Sequence, residues 1–294
     1  MGNICFFGCV SNKVTTNEIK PFKYDIEHHF DIGVFNPEIL GNGVSSETFK
    51  ISMDDLNLTC KKIKKKYKTD FQNEIKVLKE MQEQSYFPTF HNAIEDKNYY
   101  YMMYDYIQGF DLYKMLQYNK IDYRDIKILA HIIREITLGL KQLFKFNYVH
   151  LDLKLENVII NPEPPYNIKI IDVAFAKKLD NGVNKVGLLG TKSYISPEVL
   201  LYNRYFHNTD VWSLGIIIYI LITESHLFPD TPGYSFLERM KDYTDLEKFS
   251  PKYFKIKEKD NDLCDLLSKM LVKNQPFRIP IKGILKHKFL VNNI

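Results

Sequence analysis

The run His150-Leu151-Asp152-Leu153-Lys154-Leu155-Glu156-Asn157 constrains this chain more than any other stretch. It sets an aspartate, a lysine and an asparagine at fixed offsets on one loop, and Ile171-Asp172-Val173-Ala174 adds a second aspartate shortly afterwards. Short strands are expected between them at 158–160 and 168–171, with Pro162, Pro164 and Pro165 marking the turn. A polar turn that merely caps local structure is one reading. The other is chemical. Phosphoryl transfer from ATP needs a carboxylate to take a hydroxyl proton, a cation for the moving phosphate and two oxygen ligands for magnesium.

Along the chain, residues 1–30 form an extension with no clear period, interrupted by Pro21. From residue 31 to about 105, strand-like stretches alternate with turns. Segments 49–53 and 56–63 flank Asp54-Asp55 as a hairpin, and 99–106 is a continuous apolar and aromatic run typical of a buried strand. One helix is expected in this half, over 69–81, with Asp70 as its cap and Phe71, Ile75 and Leu78 on one face. From residue 106 to 294 the pattern turns helical. Helices are expected at 125–146, 209–223, 236–242, 260–271 and 279–286.

With 294 residues the chain can bury a substantial core, and its formal charge of +4 implies no strong attraction to nucleic acid. Cys5, Cys9, Cys60 and Cys264 show neither a metal-ligand spacing nor a disulfide framework, so a reducing compartment is expected. The most apolar run, 214–222, is about half the length of a membrane span and reads as a helix buried all round. At the N-terminus, Met1-Gly2-Asn3-Ile4-Cys5 resembles an N-myristoylation signal, with Phe6 where Ser or Thr is usual. Gly2 with Cys5 or Cys9 would supply two acyl chains, the number that stable anchoring takes. An apolar tail packed on the domain or left disordered is the alternative. The expected location is cytoplasmic, with membrane association if Gly2 is acylated.

The two runs resemble the protein kinase family, whose catalytic loop reads H-R-D-L-x-x-x-N and whose metal motif reads D-F-G. The resemblance covers about residues 35 to 290. It implies an α+β fold of two lobes: a small antiparallel sheet lobe with one helix (31–105) and a larger, mainly helical lobe (106–294). It implies ATP and Mg2+, with protein substrates as partners. By that resemblance Asp152 accepts the substrate hydroxyl proton and Lys154 neutralises the transferred phosphate. Asn157 and Asp172 hold magnesium. Lys61 grips the inner phosphates, paired with Glu74 on the helix. Lys62 competes for that role, but strand alternation turns it to the opposite face.

Leu40-Gly41-Asn42-Gly43-Val44-Ser45-Ser46-Glu47-Thr48 is similar to the phosphate-covering loop G-x-G-x-x-G-x-V, with Ser46 in place of the third glycine and Thr48 in place of the valine. Ser46 is expected to stiffen the loop or weaken ATP binding. Asp105-Tyr106-Ile107 resembles the hinge that hydrogen-bonds adenine, with Tyr104 as gatekeeper. Asp111 falls at the ribose position and Ile159 on the adenine floor. Gly190-Thr191-Lys192-Ser193-Tyr194-Ile195-Ser196-Pro197-Glu198 resembles the peptide-docking segment, in which Thr191 contacts the catalytic aspartate and lysine. Lys154 and Thr191 favour the serine/threonine type, and other details lean towards the calcium/calmodulin-kinase-like group. Glu198 with Arg278, and Asp210 beneath the catalytic loop, match structural positions.

Two departures bear on regulation. Val173 and Ala174 replace the usual Phe and Gly, giving less volume and narrower backbone freedom. Leu151 stands where the family has an arginine that pairs with an activation-segment phosphate, and no Ser, Thr or Tyr lies between Asp172 and Thr191. The expectation is a kinase that needs no activation-segment phosphorylation. A pseudokinase scaffold without turnover is the alternative, resting on Ser46 and the Val-Ala pair.

Overall fold

The computed structural model describes residues 38–43, 45–53, 56–180, 187, 189–228, 232–233, 235–242 and 260–294. Gly2, Cys5, Cys9, Val44 and the Asp54-Asp55 turn lie outside the described residues.

Alternation of side chains builds the first half. Strands β1 (Glu38–Asn42), β2 (Ser46–Met53), β3 (Leu56–Lys64), β4 (Phe90–Glu95) and β5 (Tyr99–Asp105) form one sheet in the order β1-β2-β3-β5-β4. Every neighbouring pair is antiparallel. Phe49, Ile51, Cys60, Tyr101 and Met103 cluster on one face, and the alternate residues Ile63, Tyr100, Met102 and Tyr104 join the main core. Helix α1 (Lys68–Glu80) packs there through Phe71, whose ring stacks on Tyr100 with centroids 4.4 Å apart.

The cap expected at Asp70 is displaced. Residues Lys65–Tyr67 tighten into a 3-10 turn that feeds the helix, so Tyr67 takes the cap position and makes no side-chain cap bond. Asp70 instead sits in the first turn, where its charge suits the helix N-terminus.

The second half is mainly helical. Gly109 turns the chain out of the sheet with φ +139°, and a Cβ there would sit 2.3 Å from the Ile160 carbonyl oxygen, so only glycine fits. Strand β6 (Phe110–Asp111) leads into α2 (Leu112–Gln117), then α3 (Ile126–Lys145) and β7 (Tyr148–Val149). Asp125 caps α3 by accepting from the amides of Lys127 and Ile128, at 2.8 and 3.4 Å, a bond set worth about 1 kcal/mol. Its buried stripe runs Leu129, Ile132, Ile133, Ile136, Leu140, Leu143. Strands β8 (Val158–Ile160) and β9 (Ile168–Ile170) pair as a hairpin, and β10 (Lys177–Lys178) pairs with β7.

Helices α4 (Pro197–Tyr202), α5 (Thr209–Thr223), α6 (Phe236–Asp242), α7 (Asn261–Met270), α8 (Ile281–Leu285) and α9 (Lys288–Asn293) complete the described lobe. Every residue of α5 except Tyr219 is buried, as the unbroken apolar run requires. No described helix is long and apolar enough to cross a membrane.

Candidate active site

Lys61 projects from β3 towards α1 because strand parity places it opposite Met102, on the core face. Its ammonium lies 3.0 and 2.8 Å from the Glu74 oxygens and 2.9 Å from Asp172 Oδ1. Lys62 points the other way, to Glu47 at 3.0 Å and over the Tyr99 ring. Burial pulls on the Lys61 charge, but the carboxylates of Asp172 and Glu74 outweigh it and hold the ammonium protonated. Burial pushes the Glu74 carboxyl up to about 7, with Lys61 opposing the shift. Asp172 is held below the usual carboxylate range: burial works against this, and the charge of Lys61 prevails.

The catalytic-loop run is fixed from below by Asp210 at the start of α5. Its Oδ2 accepts from the His150 amide at 2.7 Å and its Oδ1 from the Leu151 amide at 3.0 Å. That grip accompanies a left-handed turn at Leu151 (φ 66°), directly before the buried Asp152. Asp152 Oδ1 accepts from the Thr191 amide at 2.7 Å and from the Thr191 hydroxyl at 2.8 Å. The Lys154 ammonium donates to the Thr191 hydroxyl at 2.9 Å and lies 3.2 Å from Asp152 Oδ2. Asn157 donates its Nδ2 to the Asp152 carbonyl at 2.8 Å, which leaves its Oδ1 available as an acceptor.

Asp172 takes a left-handed backbone, φ 58°, and the Ile171 amide just before it donates to the Asn157 carbonyl at 2.9 Å. Val173 is fully buried in the main core. Asp172 and Asn157 therefore present hard oxygens from two neighbouring segments, a donor set that fits magnesium with its remaining positions left to phosphate and water. Among the described residues no cluster of three or more His, Cys, Asp or Glu could hold a metal alone.

The nucleotide-side residues divide. Leu40, Gly41 and Asn42 end β1, and the Gly43 amide donates to the Ser46 carbonyl at 2.8 Å, closing the turn. Ser46 pairs with Ile63 and Thr48 with Lys61 in ordinary strand register, so the third glycine position needs no left-handed backbone here. Ser45 lies in the turn just ahead of β2. Asp105 turns its carboxylate away from the cleft, accepting from the Thr89 amide at 3.1 Å and meeting His91 at 2.6 Å. The Asp105 amide donates to the Thr89 carbonyl at 3.1 Å and its carbonyl accepts from the Thr59 hydroxyl at 3.3 Å, while Ile107 lies in the loop after β5. Ile159 pairs with Asp111 across β8 and β6. Asp111 caps α2 through the Lys114 amide at 2.8 Å and lies 3.3 Å from the Lys114 ammonium.

Two residues at the site carried no signal in the sequence. Asn73 donates to the carbonyls of Ala174 and Ala176 at 2.7 and 2.9 Å, tying α1 to the segment after Asp172. Lys114 reaches from α2 to the Leu40 carbonyl at 3.1 Å, bridging the two halves at the cleft mouth. Away from the cleft, Arg278 and Glu198 form a buried two-bond pair, both contacts at 2.7 Å.

Residues 36–290 match the family model for the protein kinase domain. The chain belongs to the protein kinase family. It is 31% identical over 275 residues to calcium-dependent protein kinase 4 of Plasmodium berghei, covering 87% of this chain and 50% of that protein. It is 33% identical over 201 residues to calcium-dependent protein kinase 4 of Plasmodium falciparum, covering 67% and 36%. With rat myosin light chain kinase 3 it shares 26% over 261 residues, covering 86% and 32%. The chain thus spans half or less of the length of these relatives.

Proposed function

We propose that this kinase domain transfers the γ-phosphate of ATP, with magnesium, to serine and threonine hydroxyls of protein substrates, and that it does so without a phosphate on the part of its activation segment (residues 172–198) that precedes Thr191. The observation that carries the reading is the closed network Lys154–Thr191–Asp152. Asp152 offers a carboxylate, held at one oxygen by Thr191, to accept the proton of an incoming hydroxyl. Lys154 stands beside it as the cation for the phosphate in flight. Lys61 holds the inner phosphates and is itself oriented by Glu74. Magnesium, held by Asn157 and Asp172, would neutralise phosphate charge.

The independence from phosphorylation rests on composition. The stretch between Asp172 and Thr191 contains no hydroxyl side chain, and Leu151 offers no cation to a phosphate. Thr191 is already seated on Asp152 in the unmodified chain. Radiolabelled ATP with a serine/threonine peptide library tests the reading, before and after phosphatase treatment of the enzyme. Label on peptide hydroxyls, undiminished by phosphatase, is expected. No transfer to any peptide would favour a scaffold, and loss after phosphatase would refute the phosphate-free form.

A further inference from the structure

Leu151 is the residue the family resemblance explains least, and the structure gives it surroundings of its own. The residue is 7% exposed, in a separate apolar cluster with Val149, Ile195, Val199 and Tyr205, against which Leu179 and Leu189 pack. These residues come from both arms of the activation segment, from α4 and from the loop beyond it.

The entering arm is laddered to β7, with Lys177 opposite Val149 and Lys178 opposite Tyr148. The Leu179 amide then donates to the Asn147 carbonyl at 2.6 Å, and the Tyr205 hydroxyl to the Lys178 carbonyl at 2.7 Å. The leaving arm lies against Leu151 itself. Gly190 has φ +97°, and a Cβ there would fall 2.5 Å from the Leu151 carbonyl oxygen. Neighbouring residues on one strand of chain meet neighbouring residues on the other: Gly190 on Leu151, and Thr191 on Asp152.

We propose that Leu151 is a positioning residue, the centre of an apolar clamp that draws the two arms of the activation segment together and so seats Thr191 on Asp152. This rests on the reading of Asp152 and Thr191 given under Proposed function and supplies its mechanism. Apolar packing has no on-and-off state of the kind a phosphate provides, so the clamp holds constitutively. The left-handed backbone at Leu151 limits what can replace it: methionine keeps volume and tolerates the turn, whereas β-branched residues are strained.

The test uses the full chain with Leu151→Met, Leu151→Ala and, as a milder second variant, Tyr205→Phe. Three quantities are read: kcat/KM for peptide, binding of a fluorescent ADP analogue, and hydrogen exchange at the Thr191 amide. For Leu151→Ala, kcat/KM for peptide falls about tenfold, as when the competent form drops to about a tenth of the population. Thr191 exchanges faster, while β3 exchange and nucleotide binding stay as in wild type. Leu151→Met restores wild-type values, and Tyr205→Phe shifts Thr191 exchange in the same direction by less.

Unchanged Thr191 exchange in Leu151→Ala overturns the clamp, as does a parallel loss of nucleotide binding and β3 protection, which marks general destabilisation. Exchange is read without turnover. A protein that transfers no phosphate, or that phosphatase silences, therefore counts against the proposed function and leaves the clamp to be judged on exchange.

Discussion

Two buried ion pairs among the described residues are built differently. In the large lobe, Arg278 spends all its donors: two on Glu198, two on the Val272 carbonyl and one on the Asn208 carbonyl. Glu198 also accepts from Thr209 at 2.9 Å. One cation meets one anion and nothing is left over. In the cleft, Lys61 faces two carboxylates, Glu74 and Asp172, the second of which is open to the cleft with its side chain 37% exposed. That group carries one negative charge too many. The closed pair is architecture; under the proposed function the open one receives magnesium and phosphate. Saturation, rather than burial, separates structural charge from functional charge here.

The comparison can be broken by removing each cation. Arg278→Ala strands a buried carboxylate and should cost about 3–5 kcal/mol of stability, read as a lowered urea midpoint. Lys61→Met should behave oppositely. Glu74, already pushed up to about 7 by burial, can take a proton, so the urea midpoint should move far less. Transfer activity should nevertheless fall by about 10²–10³. Equal stability losses in the two variants would remove the distinction.

A pH profile sharpens it. The Glu74 carboxyl is raised from its ordinary value of 4.5 to about 7, so below about 7 it carries a proton and no longer pairs as an anion with Lys61. The resulting acidic limb should appear in kcat/KM for ATP, which reports the free enzyme. The stability effect has the other sign. A carboxyl raised by folding contributes stability below its unfolded value and loses it as pH rises through about 7. Acidification through that point should therefore lower activity without destabilising the fold through this group. A flat profile that matches Glu74→Gln contradicts the assignment.

The smallest effect is expected at the cleft mouth. Lys114 joins the Leu40 carbonyl and Asp111 with its side chain 42% exposed, so solvent screens it heavily. Lys114→Ala should change the KM for ATP by less than about fivefold, corresponding to at most about 1 kcal/mol.

The sequence made some of this legible and concealed the rest for physical reasons. Asp152, Lys154 and Asn157 sit on one short loop, so their chemistry survives as local spacing. Helix α5 was readable because an unbroken apolar run can hardly be anything but a buried helix. The start of α1 differs from the cap expected at Asp70, since a 3-10 turn containing Lys65 and Lys66 leaves no capping signature. Asn73 and Lys114 act on carbonyls, which every residue possesses, and no spacing rule marks them. Leu151 is the clearest case. In the sequence it is a missing arginine. Its partners Leu179, Leu189, Ile195 and Tyr205 come from segments that only tertiary folding brings together, so the cluster that gives it meaning is invisible along the chain.

The central claim is that Asp152 accepts a proton from a protein hydroxyl. Asp152→Asn tests it most directly, because the substitution keeps shape and removes the charge. Assayed with radiolabelled ATP and peptide beside wild type, the variant should bind nucleotide normally and lose about 10²–10⁴ in transfer rate. Equal labelling of peptide by both proteins would contradict the account.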